Sequence, residues 1–188
     1  MIKIGITGSL ASGKTTASKI LSSRRGPLFS ADIAVKEIYK NKSFRSLISK
    51  KFRVENNSQI KKSLKKLVIK NKINLKKLEN IIHPLVRKKM RKFSSKHKHK
   101  KFLFYEIPLL IESKLMRYFD VIIFIKSKKK VRLRRFKSKK GNEELFSLLN
   151  NQQMSDKKKI KFCDFIVVNE KNLKVLKKKL FNIISKYE

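Results

Sequence analysis

The first apolar residues, Ile2-Lys3-Ile4-Gly5-Ile6, form a β-branched run that ends at Thr7-Gly8, and after Gly13 the pattern shifts to Thr16, Ile20, Leu21. The run predicts a short strand and the later spacing a helix, so strand, glycine-bearing turn and helix succeed one another. Leu28-Phe29-Ser30-Ala31-Asp32 predicts a second short strand with a carboxylate at its C-terminal end, ahead of a helical stretch near Val35 to Tyr39. From Phe44 to Phe93 apolar residues recur at helical spacing, as in Leu64, Leu67, Val68 and Leu75, Leu78, Ile81, Ile82, which predicts a helix-rich insertion. Phe102 to Ile107 and Val121 to Ile125 are continuous apolar runs, the pattern of strands buried on both faces of a parallel sheet. A basic helical stretch from Val131 through Leu149 follows, then a last strand, Phe165 to Asn169, and an amphipathic closing helix, Leu173 to Ile184. Strands alternating with helices imply a doubly wound α/β domain, whose ligands sit beyond the carboxyl ends of the strands. The chain shows no internal repeat and no Gly/Ser-rich linker.

Length fits this picture: 188 residues, 40% of them hydrophobic, suffice for one substantial core but not two. The formal net charge of +38 is extreme and by itself suggests a polyanion-binding surface. Lysine supplies nearly all of it, spread through Lys61-Lys62, Lys65-Lys66, Lys96 to Lys101, Lys126 to Lys130, Lys157 to Lys159 and Lys177 to Lys179 rather than gathered in one stripe. Lys, Ile, Asn and Phe are abundant while Ala, Gly, Pro and Trp are scarce, the bias of A- and T-rich codons. Solvated lysine faces accumulate at little cost because each ammonium stays in water. Cys163 is the only cysteine, which excludes an intramolecular disulfide and a cysteine-cluster metal site and fits a reducing compartment, so the expected location is cytoplasmic. The apolar start is interrupted by Thr7 and Ser9 and followed by Lys14, unlike a secretory leader, and no later run is long enough to span a bilayer.

Gly8-Ser9-Leu10-Ala11-Ser12-Gly13-Lys14-Thr15 satisfies G-x-x-x-x-G-K-[ST] in the strand-to-helix setting that pattern requires. Such a turn points backbone N–H groups at a β-phosphate, and the helix beginning near Lys14 adds the positive end of its dipole. Gly8, Ala11, Ser12, Gly13, Lys14, Thr15 and Thr16 are therefore the candidate ATP-binding residues. Lys14 would bridge the β- and γ-phosphates, and the Thr15 hydroxyl would coordinate Mg²⁺. Asp32 is a candidate general base, with capping of the following helix as the structural alternative. Glu106 closes a central apolar strand, where a carboxylate is costly unless it serves a metal or a partner, so it is a candidate Mg²⁺ ligand through water. Arg132, Arg134 and Arg135 are candidates for stabilising a transferring phosphoryl group, or else parts of a solvated basic face. His97 and His99, two apart in a lysine-rich segment, offer no preorganised metal site, and Cys163 reads as a small core residue.

Several separate segments resemble the dephospho-CoA kinase family, over nearly the whole chain. Ile6-Thr7-Gly8 with the glycine loop resembles the family's start, and Ala31-Asp32-Ile33-Ala34 its "DAD" segment. Ile81 to Val86, containing His83-Pro84, is similar to its "LLHPxI" helix, and Pro108-Leu109-Leu110-Ile111-Glu112 resembles its "PLLxE" signature. Arg134, Gln153, Lys159, Asp164 and Asn169 fall at the spacings of its lid Arg, its Gln, its "K…AD" element and its last-strand Asn. The resemblance implies a P-loop NTPase-type α/β fold: a doubly wound parallel sheet with a helical substrate-binding insertion and a helical lid. The nucleotide core would be about 1–34, 100–130 and 160–188, the CoA-binding insertion about 35–99 and the lid about 131–150. It implies ATP-dependent phosphorylation of the ribose 3′-hydroxyl of dephospho-CoA, with Asp32 as base, Lys14 and Arg134 catalytic and Asn169 at the ATP. Asp32, His83, Pro108 and Leu109 would meet the substrate. The expected partners are small molecules alone, with no specific nucleic acid and no membrane, in a monomer or weak homo-oligomer. Another P-loop kinase of a small hydroxyl or a nucleoside monophosphate is the alternative, and a basic nucleic-acid-binding protein the second. Three positions depart from the family: Ala11 stands where Gly is usual, Ser30 replaces the first Asp of "DAD", and Ser138 stands where a second lid Arg is expected.

Overall fold

A computed structural model describes the backbone of residues 1–188 and every side chain except those of residues 69 and 70. In chain order the elements are β1 (Ile2–Gly8), α1 (Lys14–Ser22), β2 (Leu28–Ser30), α2 (Ala31–Ile38), α3 (Lys42–Phe52), α4 (Ile60–Lys70) and α5 (Lys72–Lys96). There follow β3 (Phe102–Glu106), β4 (Val121–Lys126), α6 (Lys129–Lys137), α7 (Glu143–Asn151), α8 (Asp156–Ile160), β5 (Phe165–Val168) and α9 (Leu173–Ile184). They fall into two compact units, one of Met1–Ser30 with Lys96–Glu188, the other of Ala31–Ser95.

The first unit is built on a five-stranded sheet in the order β2-β3-β1-β4-β5, with every pairing parallel. β1 is central, and the registers Ile6↔Glu106 and Gly8↔Ile125 bring the ends of β1, β3 and β4 to one edge, which places the loop after β1 there. The continuous apolar runs are explained by burial on both faces. Ile4, Ile6, Phe104 and Ile123 point to the face covered by α1 and α9, where Leu21, Leu176 and Leu180 complete the core. On the other face Tyr105 meets the rings of Tyr118 and Phe119 edge-on. Strand starts are pinned by two aspartates: Asp120 accepts from Lys3 N at 2.7 Å and Asp164 from Ile122 N at 2.7 Å.

The second unit is helical. Asn41 caps α3 by accepting from Phe44 N at 2.9 Å, and Phe44, Ile48, Ile60, Leu64, Ile82 and Met90 are buried. Pro84 lies within α5.

Two local expectations are corrected. The strand predicted over Leu28 to Asp32 stops at Ser30, where pairing with β3 ends at Ser30↔Glu106, and Asp32 lies in the first turn of α2 rather than at a strand end. The basic helical stretch is two helices, not one: the chain turns at Lys140, which adopts φ 63°, and Asn142 restarts it by capping Leu145 N at 2.8 Å. The five-residue helix α8 had no counterpart in the hydrophobic pattern.

Candidate active site

β1 delivers Gly8 to the edge of the sheet with φ 150°, and Gly13 hands the chain to α1 with φ 97°. Side chains are excluded at both places: a Cβ on Gly8 would stand 2.4 Å from the Ile125 carbonyl oxygen, and one on Gly13 2.2 Å from Asn169 Nδ2. The loop is thus pressed between the end of β4 and the residue after β5, and only glycine fits. Ala11, by contrast, holds a left-handed φ of 58° with its Cβ in place, a conformation costly for any residue but glycine.

The carbonyls of the loop are tied down by named donors. Lys14 Nζ folds inward and donates to Gly8 O at 3.0 Å and Ser9 O at 2.9 Å. The Ser12 carbonyl accepts from Asn169 Nδ2 at 2.9 Å, Ser127 Oγ at 3.2 Å and Arg135 Nη1 at 3.2 Å. The Leu10 carbonyl accepts from Arg132 Nη1 at 3.3 Å, while Leu10 N donates to Gln153 Oε1 at 3.1 Å and Ser9 Oγ to Asp156 Oδ1. In a planar trans peptide the C=O and the next N–H point in opposite directions. Holding the Leu10 and Ser12 carbonyls therefore turns the N–H groups of Ala11 and Gly13 the other way, the arrangement of an anion nest.

At the start of α1, Thr15 Oγ1 donates to Glu106 Oε1 at 2.5 Å. Glu106 is 3% exposed at the end of β3 and Thr15 is exposed, so a buried carboxylate and an accessible hydroxyl adjoin the lysine of the loop. These are two hard oxygen donors of the kind Mg²⁺ takes.

The arginines separate by environment. Arg134 is exposed. Arg135 reaches the loop through Ser12 O and also donates Nη2 to Asn169 O at 3.0 Å. Arg132 is 6% exposed, lies over the Phe146 ring and is held below its ordinary range by burial, which the Asp156 carboxylate partly offsets.

Of the remaining candidates, Pro108 accepts from Thr7 Oγ1 at 3.2 Å and lies with Leu109 in the sheet unit. Asp32 and His83 belong to the helical unit. Burial holds His83 below the usual imidazole range, with Glu79 pulling it up and Arg87 pushing it down. Burial, aided by Asp164, pushes the Cys163 thiol up to about 12, so it stays protonated at neutral pH; it is half-buried rather than a full core residue. Among the described residues no three His, Cys, Asp or Glu side chains gather as a metal cluster, and no helix is long and apolar enough to cross a membrane. Arg132, buried behind the loop, and Asp156, bonded to Ser9, were not singled out as loop contacts by sequence. A charged residue in so lysine-rich a chain carries no mark of burial.

A parallel sheet whose central strand runs into a glycine loop, with Lys14, Thr15 and a strand-end carboxylate around it, defines a P-loop kinase fold. Residues 2–174 match the family model described as dephospho-CoA kinase. A dephospho-CoA kinase from Bartonella quintana is 37% identical over 186 residues, covering 96% of this chain and 95% of its own. A crystal structure from Thermus thermophilus superposes with a TM-score of 0.85 at 26% identity, covering 98% of this chain and 97% of its own. The dephospho-CoA kinase from Campylobacter jejuni superposes with a TM-score of 0.63 at 27% identity, over 99% of this chain and 97% of its own. The chain belongs to the dephospho-CoA kinase family, phosphotransferases of CoA biosynthesis that move phosphate from ATP onto an alcohol acceptor.

Proposed function

We propose that this protein phosphorylates the ribose 3′-hydroxyl of dephospho-CoA with Asp32 as the general base and the Gly8–Thr15 loop as the seat of the ATP phosphates. The observation that carries this reading is the loop itself, with Lys14 folded inside it and the Leu10 and Ser12 carbonyls held by Arg132, Ser127, Arg135 and Asn169. On binding ATP, Lys14 exchanges the Gly8 and Ser9 carbonyls for the β- and γ-phosphate oxygens. Asp32, in the first turn of α2, accepts the proton of the attacking hydroxyl. Thr15 and, through water, Glu106 would hold Mg²⁺, which neutralises charge on the phosphates. Because Thr15 gives its proton to Glu106, its oxygen keeps its lone pairs for a ligand. Arg135 already reaches the loop, which supports it over the exposed Arg134 as the lid guanidinium nearest the nucleotide. His83, Pro108 and Leu109 complete the reading as acceptor-binding residues, and Thr16 and Asn169 as ATP-binding ones.

ADP formation measured with and without dephospho-CoA, and against a panel of nucleosides, nucleotides and sugar acids, tests the acceptor. Dephospho-CoA should be the preferred acceptor by a wide margin, and a nucleoside monophosphate turned over equally well would defeat the assignment. Asp32→Asn should lower kcat by about 10²–10⁴-fold, the range of general base catalysis. An unchanged rate removes Asp32 from the mechanism.

A further inference from the structure

Arg132 is not one of the loop's own residues, and no residue of the glycine motif predicts it. Its guanidinium is nevertheless buried directly behind the loop, and every recorded hydrogen bond of its side chain goes to a neutral oxygen. These are Leu10 O at 3.3 Å, Ser127 O at 3.2 Å and Asn150 Oδ1 at 2.7 Å. Among the described residues no carboxylate lies within ion-pair distance of it. A buried cation normally acquires an anionic partner, because leaving it uncompensated is expensive. Asp156, whose carboxylate takes the hydroxyl proton of Ser9, offsets part of the charge from further away. The rest of its field falls on the loop.

We propose that Arg132 is a positioning residue for the nucleotide phosphates: it fixes the Leu10-Ala11 peptide with its carbonyl outward and keeps a positive charge, only partly offset by Asp156, behind the anion nest. Two consequences follow. The Ala11 N–H is aimed into the loop by the planarity of the peptide that Arg132 holds. The charge lies in a medium of low dielectric, where its attraction for a polyphosphate is larger than the same charge would exert through water. Both act on phosphate and neither on the base, so the benefit grows with the number of phosphates on the ligand. Asn150 in α7 and Phe146, whose ring lies under the guanidinium at 5.7 Å, keep the group in place, so the second lid helix becomes the mount of a phosphate-binding charge.

This inference rests on the reading of the loop as an ATP site. The test measures Kd for ATP and for AMP by calorimetry, together with KM for each substrate and kcat, in the unsubstituted protein, Arg132→Met and Arg132→Lys. Arg132→Met should weaken ATP roughly tenfold, the lower end of what a charge-assisted hydrogen bond supplies. AMP should change by under about twofold, and KM for ATP should rise more than kcat falls. Arg132→Lys, which keeps the charge and a donor, should return ATP to within about threefold of the unsubstituted protein. Should Arg132→Met fail to fold, Arg132→Gln, which keeps a donor for the Leu10 carbonyl but no charge, carries the same comparison. Equal weakening of ATP and AMP, or a loss in Arg132→Lys as large as in Arg132→Met, would overturn the proposal and leave a structural role. Absence of ATP affinity in the unsubstituted protein would instead remove the loop reading on which it stands.

Discussion

Lys159 and Glu112 offer the sharpest test of what holds the loop's surroundings together. Lys159 in α8 is 0% exposed and its Nζ lies 2.7 Å from Glu112 Oε1, whose side chain keeps 20% of its surface. The same carboxylate oxygen accepts from Met154 N at 3.2 Å. Replacing Glu112 by Gln strands an ammonium that water cannot reach, and breaking a buried pair in this way costs about 3–5 kcal/mol. Because the amide oxygen can still accept, the lower end, about 3 kcal/mol, is expected. Lys159→Met strands the carboxylate instead; its Oε1 keeps the Met154 N–H, but Oε2 is buried without a hydrogen-bond partner, so about 2 kcal/mol is expected. The double variant removes both charges and should fall within about 1 kcal/mol of the parent, since an apolar replacement of a buried pair is often neutral. The non-additivity is therefore about 4–5 kcal/mol and favours the double variant. Urea denaturation with matched m-values measures all four corners of the cycle, and Glu112→Gln should also lower Tm by about 6–12 °C in a chain of this size. A loss below about 1 kcal/mol in Glu112→Gln, or a double variant no more stable than Glu112→Gln, refutes the claim that the pair exists to satisfy a dry lysine.

Two further outcomes are expected. Ala11→Gly relieves a left-handed residue, φ 58°, and after the greater freedom glycine gives the unfolded chain should stabilise by about 0.5–1 kcal/mol in chemical denaturation; a destabilised variant would show that the Ala11 methyl group is packed favourably. His83 is held below the ordinary imidazole range, so its contribution to stability is fully present above about pH 6.5 and is lost as pH falls through its folded value. Tm measured from pH 7 to 5 should therefore fall less steeply in His83→Gln than in the parent, and parallel profiles would remove His83 as a cause.

Much of the fold was legible because its central elements have only one way to be built. β3 and β4 are buried on both faces, so their runs are apolar without alternation, and the amphipathic α9 begins and ends at the predicted Leu173 and Ile184. The loop was legible because two glycines and a lysine are demanded by close contacts with Ile125, Asn169 and the carbonyls of Gly8 and Ser9. What failed to show were features decided by partners distant in sequence. β2 ends at Ser30 because its pairing with β3 runs out there, which nothing in Leu28 to Asp32 announces. The break between α6 and α7 did carry a local sign, Gly141-Asn142 followed by Glu143-Glu144, the signature of a new helix start, but an unbroken basic run concealed it. Arg135 and Arg134 are neighbours of one type, and only the fold turns one toward Ser12 and the other to solvent.

The charge of the chain also resolves into two populations. With 51 Lys and Arg against 13 Asp and Glu, most cations have no possible partner, and on the surface they need none because water solvates them. A buried cation is different, since it survives only where something repays its lost hydration. Among the described residues the buried cations are Lys14, Arg132 and Lys159. Lys14 lies inside the phosphate loop, Arg132 against Leu10 behind it, and Lys159 in α8, the helix whose Asp156 bonds Ser9 of the same loop. Drift in composition can add lysines to a solvated face, but it does not explain two cations in dry positions against one turn of backbone and a third paired to Glu112. The selective pressure on charge in this protein is therefore read at those positions. Surface lysines can be exchanged for neutral residues at little cost to ATP affinity, while Lys14 and Arg132 should resist replacement and Lys159 should do so as long as Glu112 keeps its charge.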